Sequence, residues 1–294
     1  MTPRSALPGE YADAFRLLFR HLDSAEREDR VRRAIDLIAG GGLDAGGLLV
    51  LPGPSGAMLC QSVPGAGGLV WPPAVVADDP AGEAALVAAA LARLRGHGAR
   101  LAQCLLPDGE FGLAAPLLRN GFDHTTGLLF LRHDLSPTAA WLGGNDRLAF
   151  APYDAADPSA FHAALSASYE GTLDCPEVNG LRTIEEVIAG HQAQGRYDPS
   201  TWWLARLDGE PVGVLLLVEA EPHQWEIVYV GVMPEARGRG VAVGLMYQAL
   251  CHLRRADADG VMLSVDDRNM PARRLYQRLG FEAYDHREVV MVRL

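Results

Sequence analysis

Residues 228–250 read VYVGVMPEARGRGVAVGLMYQAL, and the hand-over in the middle of this stretch decides the fold. The alternating, β-branched run QWEIVYVGVM (224–233) reads as a strand that Pro234 stops. From Val241 the apolar positions Val241, Leu245, Leu250 and Leu253 fit a helix. Arg237-Gly238-Arg239-Gly240 therefore sits at a helix start that no Ser, Thr, Asp or Asn caps. About four backbone N–H groups lack helical partners there, and the positive end of the dipole points outward. Glycines admit a ligand close to the backbone and arginines add charge, so the turn suits a phosphate-bearing group. Two familiar nucleotide loops fail on spacing. A Walker loop needs Gly-Lys-Ser/Thr, and the chain has no lysine; a dinucleotide fingerprint needs a third glycine where Val243 stands.

The bulk numbers narrow the field further. A chain of 294 residues, 49% hydrophobic and 21% charged, is an ordinary globular sequence with room for two domains. No apolar run approaches the roughly 20 residues that cross a bilayer. The opening MTPRSALPGEYADAF lacks the apolar centre of a secretion signal, so a cytoplasmic protein without a membrane partner is expected. Cys60, Cys104, Cys175 and Cys251 show no C-x-x-C spacing, which favours reduced, buried thiols and no metal site. A net charge of −11 disfavours nucleic acid and suits a cationic or neutral small partner. All 26 basic residues are arginine, which removes Schiff-base chemistry and a lysine base. A monomer or a homodimer is equally compatible with these numbers.

The chain also repeats itself. LLRNGFDHTTGLLFLRHDL (117–135) and LYQRLGFEAYDHREVVMVRL (275–294) both place Gly-Phe after a helical stretch and before an alternating strand, and Gly121 and Gly280 lie 280 − 121 = 159 positions apart. At the same offset Leu91 and Leu94 fall on Leu250 and Leu253. Each half reads helix–helix, antiparallel strands, strand–turn–helix, strand, helix, strand. The segment SPTAAWLGGNDR (136–147) reads as a linker, dividing the chain into domains at 1–140 and 141–294.

The pattern Arg237-x-x-Gly240-x-Ala242 resembles the acyl-CoA signature of the GCN5-related N-acetyltransferases. The stretch LSVDDRNMPARRLYQRLGFE (263–282) supports the resemblance, because Asn269, Ala272, Leu275, Tyr276, Gly280 and Phe281 match the family's pattern in order and position. The resemblance implies an α+β fold of two tandem domains, each a mixed, mostly antiparallel sheet flanked by helices. It also implies an acetyl-CoA co-substrate splayed between two parallel strands, its pantetheine arm bonded to the backbone of Val230 and Val232 like an added strand. The amides of Gly238, Arg239, Gly240, Val241 and Ala242, with Arg237, would hold the pyrophosphate, and Asn269 the pantetheine. Each charge-assisted bond contributes roughly 1.5–3 kcal/mol before ordering costs.

Acetyl transfer needs a neutral amine, although a free alkyl amine titrates near about 10, and it needs a proton for the departing thiolate. Tyr276 occupies the position from which the family donates that proton. Glu226 is the expected base; simple alternation puts it on one face with Val228 and Val230. His223, in a turn, is a weaker second. The acceptor, a small-molecule or peptide amine, falls to the polar loop in ASYEGTLDCPEVNGLRTIEEVIAGHQ (167–192), which carries Tyr169, Glu170, Asp174, Glu177 and Asn179. A non-catalytic acyl-CoA sensor is the alternative, with long-acyl or aminoacyl transfer behind it. In the first half Asp78-Asp79-Pro80 stands where the second has its turn; Asp79 as a cap with Pro80 behind it would fill the free amides and repel a phosphate. Leu117 replaces Tyr276 and Glu110 replaces Asn269, so the first domain reads as a degenerate copy without the CoA motif.

Overall fold

The computed structural model describes residues 2–53, 55–136 and 147–294. The boundary at 140/141 and nearly all of the 136–147 linker lie outside the described residues. Two compact units emerge: Met1–Thr125 with Glu288–Leu294, and Thr126–Arg287.

The first unit runs β1 (Arg4–Ser5), α1 (Tyr11–Leu18), α2 (Ser24–Ala39), β2 (Leu48–Val50), β3 (Gly56–Val63), β4 (Gly67–Val75), α3 (Pro80–Gly96), β5 (Leu101–Pro107) and α4 (Ala115–Arg119), and leads into β6 (Asp123–His133). Strands β1 to β4 are antiparallel neighbours, and β5 joins β4 in parallel. Alternation along β2 and β3 sorts the core into two layers. Leu49, Leu51, Met58 and Cys60 meet α3 through Leu86, Ala90 and Leu94. Leu48, Val50 and Ala57 meet α1 and α2 through Phe15, Leu18, Val31 and Ala34.

The second unit repeats the order with β7 (Leu148–Pro152), α5 (Ser159–Ser168), α6 (Ile184–Gln192), β8 (Trp202–Leu207), β9 (Glu210–Glu221), β10 (Gln224–Val232), α7 (Val241–Arg255), β11 (Gly260–Asp266), α8 (Met270–Arg278) and β12 (Glu282–Arg293). Its strands lie in the order β6-β11-β10-β9-β8-β7, with β10 and β11 parallel and the other pairs antiparallel. Asp208-Gly209, both at positive φ, closes the β8–β9 hairpin as two such residues should. Val214 and Leu216 face α5 and α6, while Leu215 and Leu217 face α7. A reciprocal cap starts α6: Thr183 accepts the Glu186 N–H at 3.2 Å and Glu186 accepts the Thr183 N–H at 2.8 Å. The short opening strands β1 and β7 were not expected from the sequence; neither is long enough to show a period.

Candidate active site

Strands β10 and β11 pair only from Gln224–Glu226 against Gly260–Met262. A bulge between Ile227 and Tyr229 then interrupts the register of β10 with β9. A bulge bends its strand, and here the edge of β10 that faced β11 is left open. Ile227–Val232 and Leu263–Val265 instead line a cavity of about 290 Å³. Its remaining wall comes from Asn269, Pro271, Ala272, Leu275 and Tyr276 of the α8 region, Arg237 of the turn, Ala242 of α7, Ser168 at the end of α5, and Thr172–Asp174 beyond it.

The bulge also corrects the alternation read from the sequence. Val228 and Tyr229 pack with the α5–α6 layer, whereas Val230 and Val232 pack with Ile227 in the α7 layer. Glu226 and Val230 therefore do not share a face.

At the mouth of the cavity, Gly238 and Gly240 take φ of 73° and 79°. A Cβ at either would meet nothing within 4 Å, so backbone conformation requires glycine and the space before the turn is open. Gly240 is the N-cap of α7 and supplies no capping side chain. The amides of Val241, Ala242 and Val243 precede the first bond of the helix, from Gly244 N–H to the Gly240 carbonyl.

The arginines do something other than add free charge at the turn. Arg237 donates to the carbonyls of Ser168 (3.0 Å), Glu170 (2.6 Å), Gly171 (3.1 Å) and Val232 (3.1 Å). It is a cross-tie between the end of α5 and the end of β10. Arg239 borders a separate hollow with Asp208, Glu210 and Glu235.

Tyr276 is 5% exposed and lines the cavity from α8. That helix begins at Asn269, whose side chain accepts the Ala272 N–H at 3.3 Å. Burial, and then the Asp174 charge, push the Tyr276 phenol far above its usual range, so it remains a proton donor. Glu226 stands at the last paired position before β10 and β11 part, opposite Met262 and outside the cavity wall. Burial raises its carboxyl. His223 is not brought to the cavity; it holds a turn at φ 65°, its N–H donating to Glu219 at 3.0 Å.

The loop expected to meet the acceptor divides. Asp174 lines the cavity, where burial raises its carboxyl against bonds from the Asp266 N–H (2.8 Å) and from Asn269. Asp266 returns the contact by accepting the Cys175 N–H at 3.0 Å, which ties the loop to the end of β11. Arg268 extends the tie to Glu177 at 2.8 Å. Glu170 is held through its backbone: its carbonyl accepts from Arg237, and its N–H donates to the Ala167 carbonyl at 3.0 Å. Tyr169 and Asn179 line a second cavity, and the Asn179 amide donates to the Tyr169 carbonyl at 3.1 Å. Sequence reasoning passed over Ser168 and Tyr229, whose hydroxyls meet at 2.8 Å in the cavity wall. Tyr229 lies at the bulge, so alternation gave no signal for it.

In the first unit Asp79 caps α3 by accepting the Gly82 N–H at 2.9 Å, with Pro80 behind it. Leu117 is fully buried, and Glu110 lies 3.6 Å from His21.

The second unit is thus an α+β domain whose two parallel central strands part beside an uncapped glycine turn. The model of the Acetyltransferase (GNAT) family matches residues 165–281. Mycothiol acetyltransferase of Thermobispora bispora is 34% identical over 224 residues, 69% of this chain and 73% of that protein. The Thermomonospora curvata protein of that name is 38% identical over 122 residues, but the match spans only 40% of its length and 42% of this chain. Among solved structures, a GCN5-related N-acetyltransferase from Sphaerobacter thermophilus has the same fold, with a TM-score of 0.63 at 20% identity over 99% of this chain and 95% of that one. A tandem GNAT protein from the clavulanic acid biosynthesis pathway gives 0.54 at 15% identity, covering 99% of this chain and 97% of its own. The chain belongs to the GNAT acetyltransferase family.

Proposed function

We propose that the protein transfers an acetyl group from acetyl-CoA to a primary amine of a small molecule, and that the second unit carries the reaction. One observation supports this above the rest: β10 and β11 part at Glu226, and the slot they leave opens onto the uncapped start of α7. In this reading the pantetheine arm bonds the open edge of β10 at Val230 and Val232. The amides of Gly238, Arg239, Gly240, Val241 and Ala242 take the pyrophosphate. Arg237 holds the turn in shape, and Asn269 flanks the arm.

The amine nitrogen attacks the thioester carbonyl, the carbon–sulfur bond breaks, and the thiolate takes the Tyr276 proton. Glu226 receives the proton that the amine loses, directly or through a water. Tyr169, Glu170, Asp174 and Asn179 belong to the acceptor side, where Asp174 offers a buried carboxylate to a cationic or proton-losing nitrogen. Relatives named mycothiol acetyltransferase support a small acceptor over a protein one. The Asp79 cap supports a first unit that does not take up the donor.

Calorimetric titration of acetyl-CoA into the protein tests this reading. One site per chain, lost in Gly240→Asp, followed by CoA release when an amine is supplied, is the expected result. No binding at millimolar ligand removes the acetyltransferase reading. Binding without release in any amine favours a sensor, and two sites per chain give the first unit a donor site as well.

A further inference from the structure

Next to the donor cavity lies a second one, of about 230 Å³, which neither the donor nor the proton transfers use. Its wall is the end of α5 (Ser166 and Tyr169), the loop through Asn179 and Arg182, and the first turns of α6. The Tyr169 and Tyr229 rings, 5.0 Å apart between centroids, separate it from the donor cavity, which Tyr229 lines on the other side.

Arg182 is the feature that needs explaining. Its Nε is buried and has no hydrogen-bond partner among the described residues. Among the described residues no acid shares the cavity wall, and the adjacent Glu186 is bonded to the Thr183 N–H. In a chain with 37 acids and 26 arginines, a guanidinium facing a cavity without a counter-charge is unexpected. The Nε2 of the neighbouring His191 is also buried without a partner among the described residues. Burial, and then the Arg182 charge, lower the His191 pKa to about 4, so the ring is neutral at working pH. Buried polar groups left open in this way are costly in a native structure unless a ligand or water completes them.

Across the tyrosine pair the charge reverses. Asp174 lines the donor cavity, while Arg182 lines the second one with Tyr169; burial raises the Tyr169 hydroxyl, and of the two charges Arg182 lowers it and Asp174 raises it. A negative and a positive group thus flank one aromatic side chain, the arrangement complementary to a molecule with an amine at one end and an anion at the other. A single arginine fork matches one carboxylate.

We propose that the second cavity is an acceptor subsite in which Arg182 holds a carboxylate, so that the acceptor is a carboxylate-bearing amine of the α-amino-acid class. The proposal rests on the acetyltransferase reading above: the amine lies on the Asp174 side, toward the thioester, and the carboxylate lies beyond Tyr169.

The test compares CoA release with matched pairs, each an α-amino acid and its decarboxylated amine: glycine with methylamine, alanine with ethylamine, serine with ethanolamine. Acetyl-CoA affinity is measured alongside. The expected result is a kcat/KM at least tenfold higher for the acid-bearing member. That ratio should fall about tenfold or more in Arg182→Met and less in Arg182→Lys, which keeps the charge but not the fork. Equal rates within each pair overturn the proposal, as does a ratio that survives Arg182→Met, or no turnover of any amino acid while acetyl-CoA binds normally. Those three results leave the donor reading intact. Failure of the unaltered protein to bind acetyl-CoA overturns both.

Discussion

Tyr276 enters the cavity as a phenol, because burial and the Asp174 charge move its titration well above the usual 10 or so. Glu226 is moved the same way by burial, but for a base the consequence is opposite. Its active form is the carboxylate, so the rate should fall as pH drops through a pKa above the ordinary carboxylate range. No alkaline limb should come from Tyr276 within the assay range. Glu226→Gln should remove that acid limb and lower kcat by roughly 10²–10⁴, and Tyr276→Phe should lower kcat by a similar factor without moving the limb. A pH–rate profile of each variant checks this. An acid limb that persists in Glu226→Gln would transfer the role to Asp174, the other carboxyl raised by burial and the one that lines the cavity. The sequence made Tyr276 legible through its fixed distance from Gly280-Phe281. It named Glu226 but not its face, because a bulge adds a residue without leaving a trace in the alternation.

Among the elements, α5 shows how the turn at Gly240 is kept in place. A helix ends with unpaired carbonyls, and Arg237, far along the chain, fills that of Ser168 and those of Glu170 and Gly171 just beyond, while also bonding Val232. The residue that opens the glycine turn therefore also fixes the segment that follows α5. Arg237→Met should cost about 2 kcal/mol of stability in urea denaturation, since each of these bonds is worth on the order of 1 kcal/mol net and the site is exposed. It should also weaken acetyl-CoA binding by loosening the turn, yet leave the ionic-strength dependence of that binding unchanged. A shallower salt dependence would mean that the guanidinium contacts phosphate directly. Local sequence could suggest the glycines and the missing cap, because those are features of neighbouring residues. It could not suggest that Arg237 is occupied, nor that Asp266 ties down the loop at Cys175, because both contacts join segments dozens of residues apart.

For the molecule as a whole, repeat and compact unit are not the same thing. The 159-residue offset aligns β5 with β11 end for end, since 101 + 159 = 260 and 107 + 159 = 266. Element order was legible for this reason: two copies of one pattern reinforce each other. Strand partners were not, because an alternating strand specifies a face to bury and not a neighbour. Most of β6, which ends the first repeat, belongs to the second unit and pairs there with β11. The last seven residues, Glu288–Leu294, end the second repeat but belong to the first unit. There Val290 is fully buried in the layer that includes Leu106 and Leu117, and the Leu294 N–H donates to the Arg100 carbonyl at 2.9 Å. A chain cut after Arg287 loses the buried side chains of Val289, Val290 and Met291 together. At about 1.5–3 kcal/mol each, that loss is on the order of 5 kcal/mol, comparable to the whole stability of a small domain. Truncation should therefore strip hydrogen-exchange protection from Leu101–Pro107, although those residues lie some 180 positions earlier in the chain. If β5 were protected as well in the cut chain as in the full one, the first unit would be complete without the second repeat's last strand, and the exchange of strands would carry no stability.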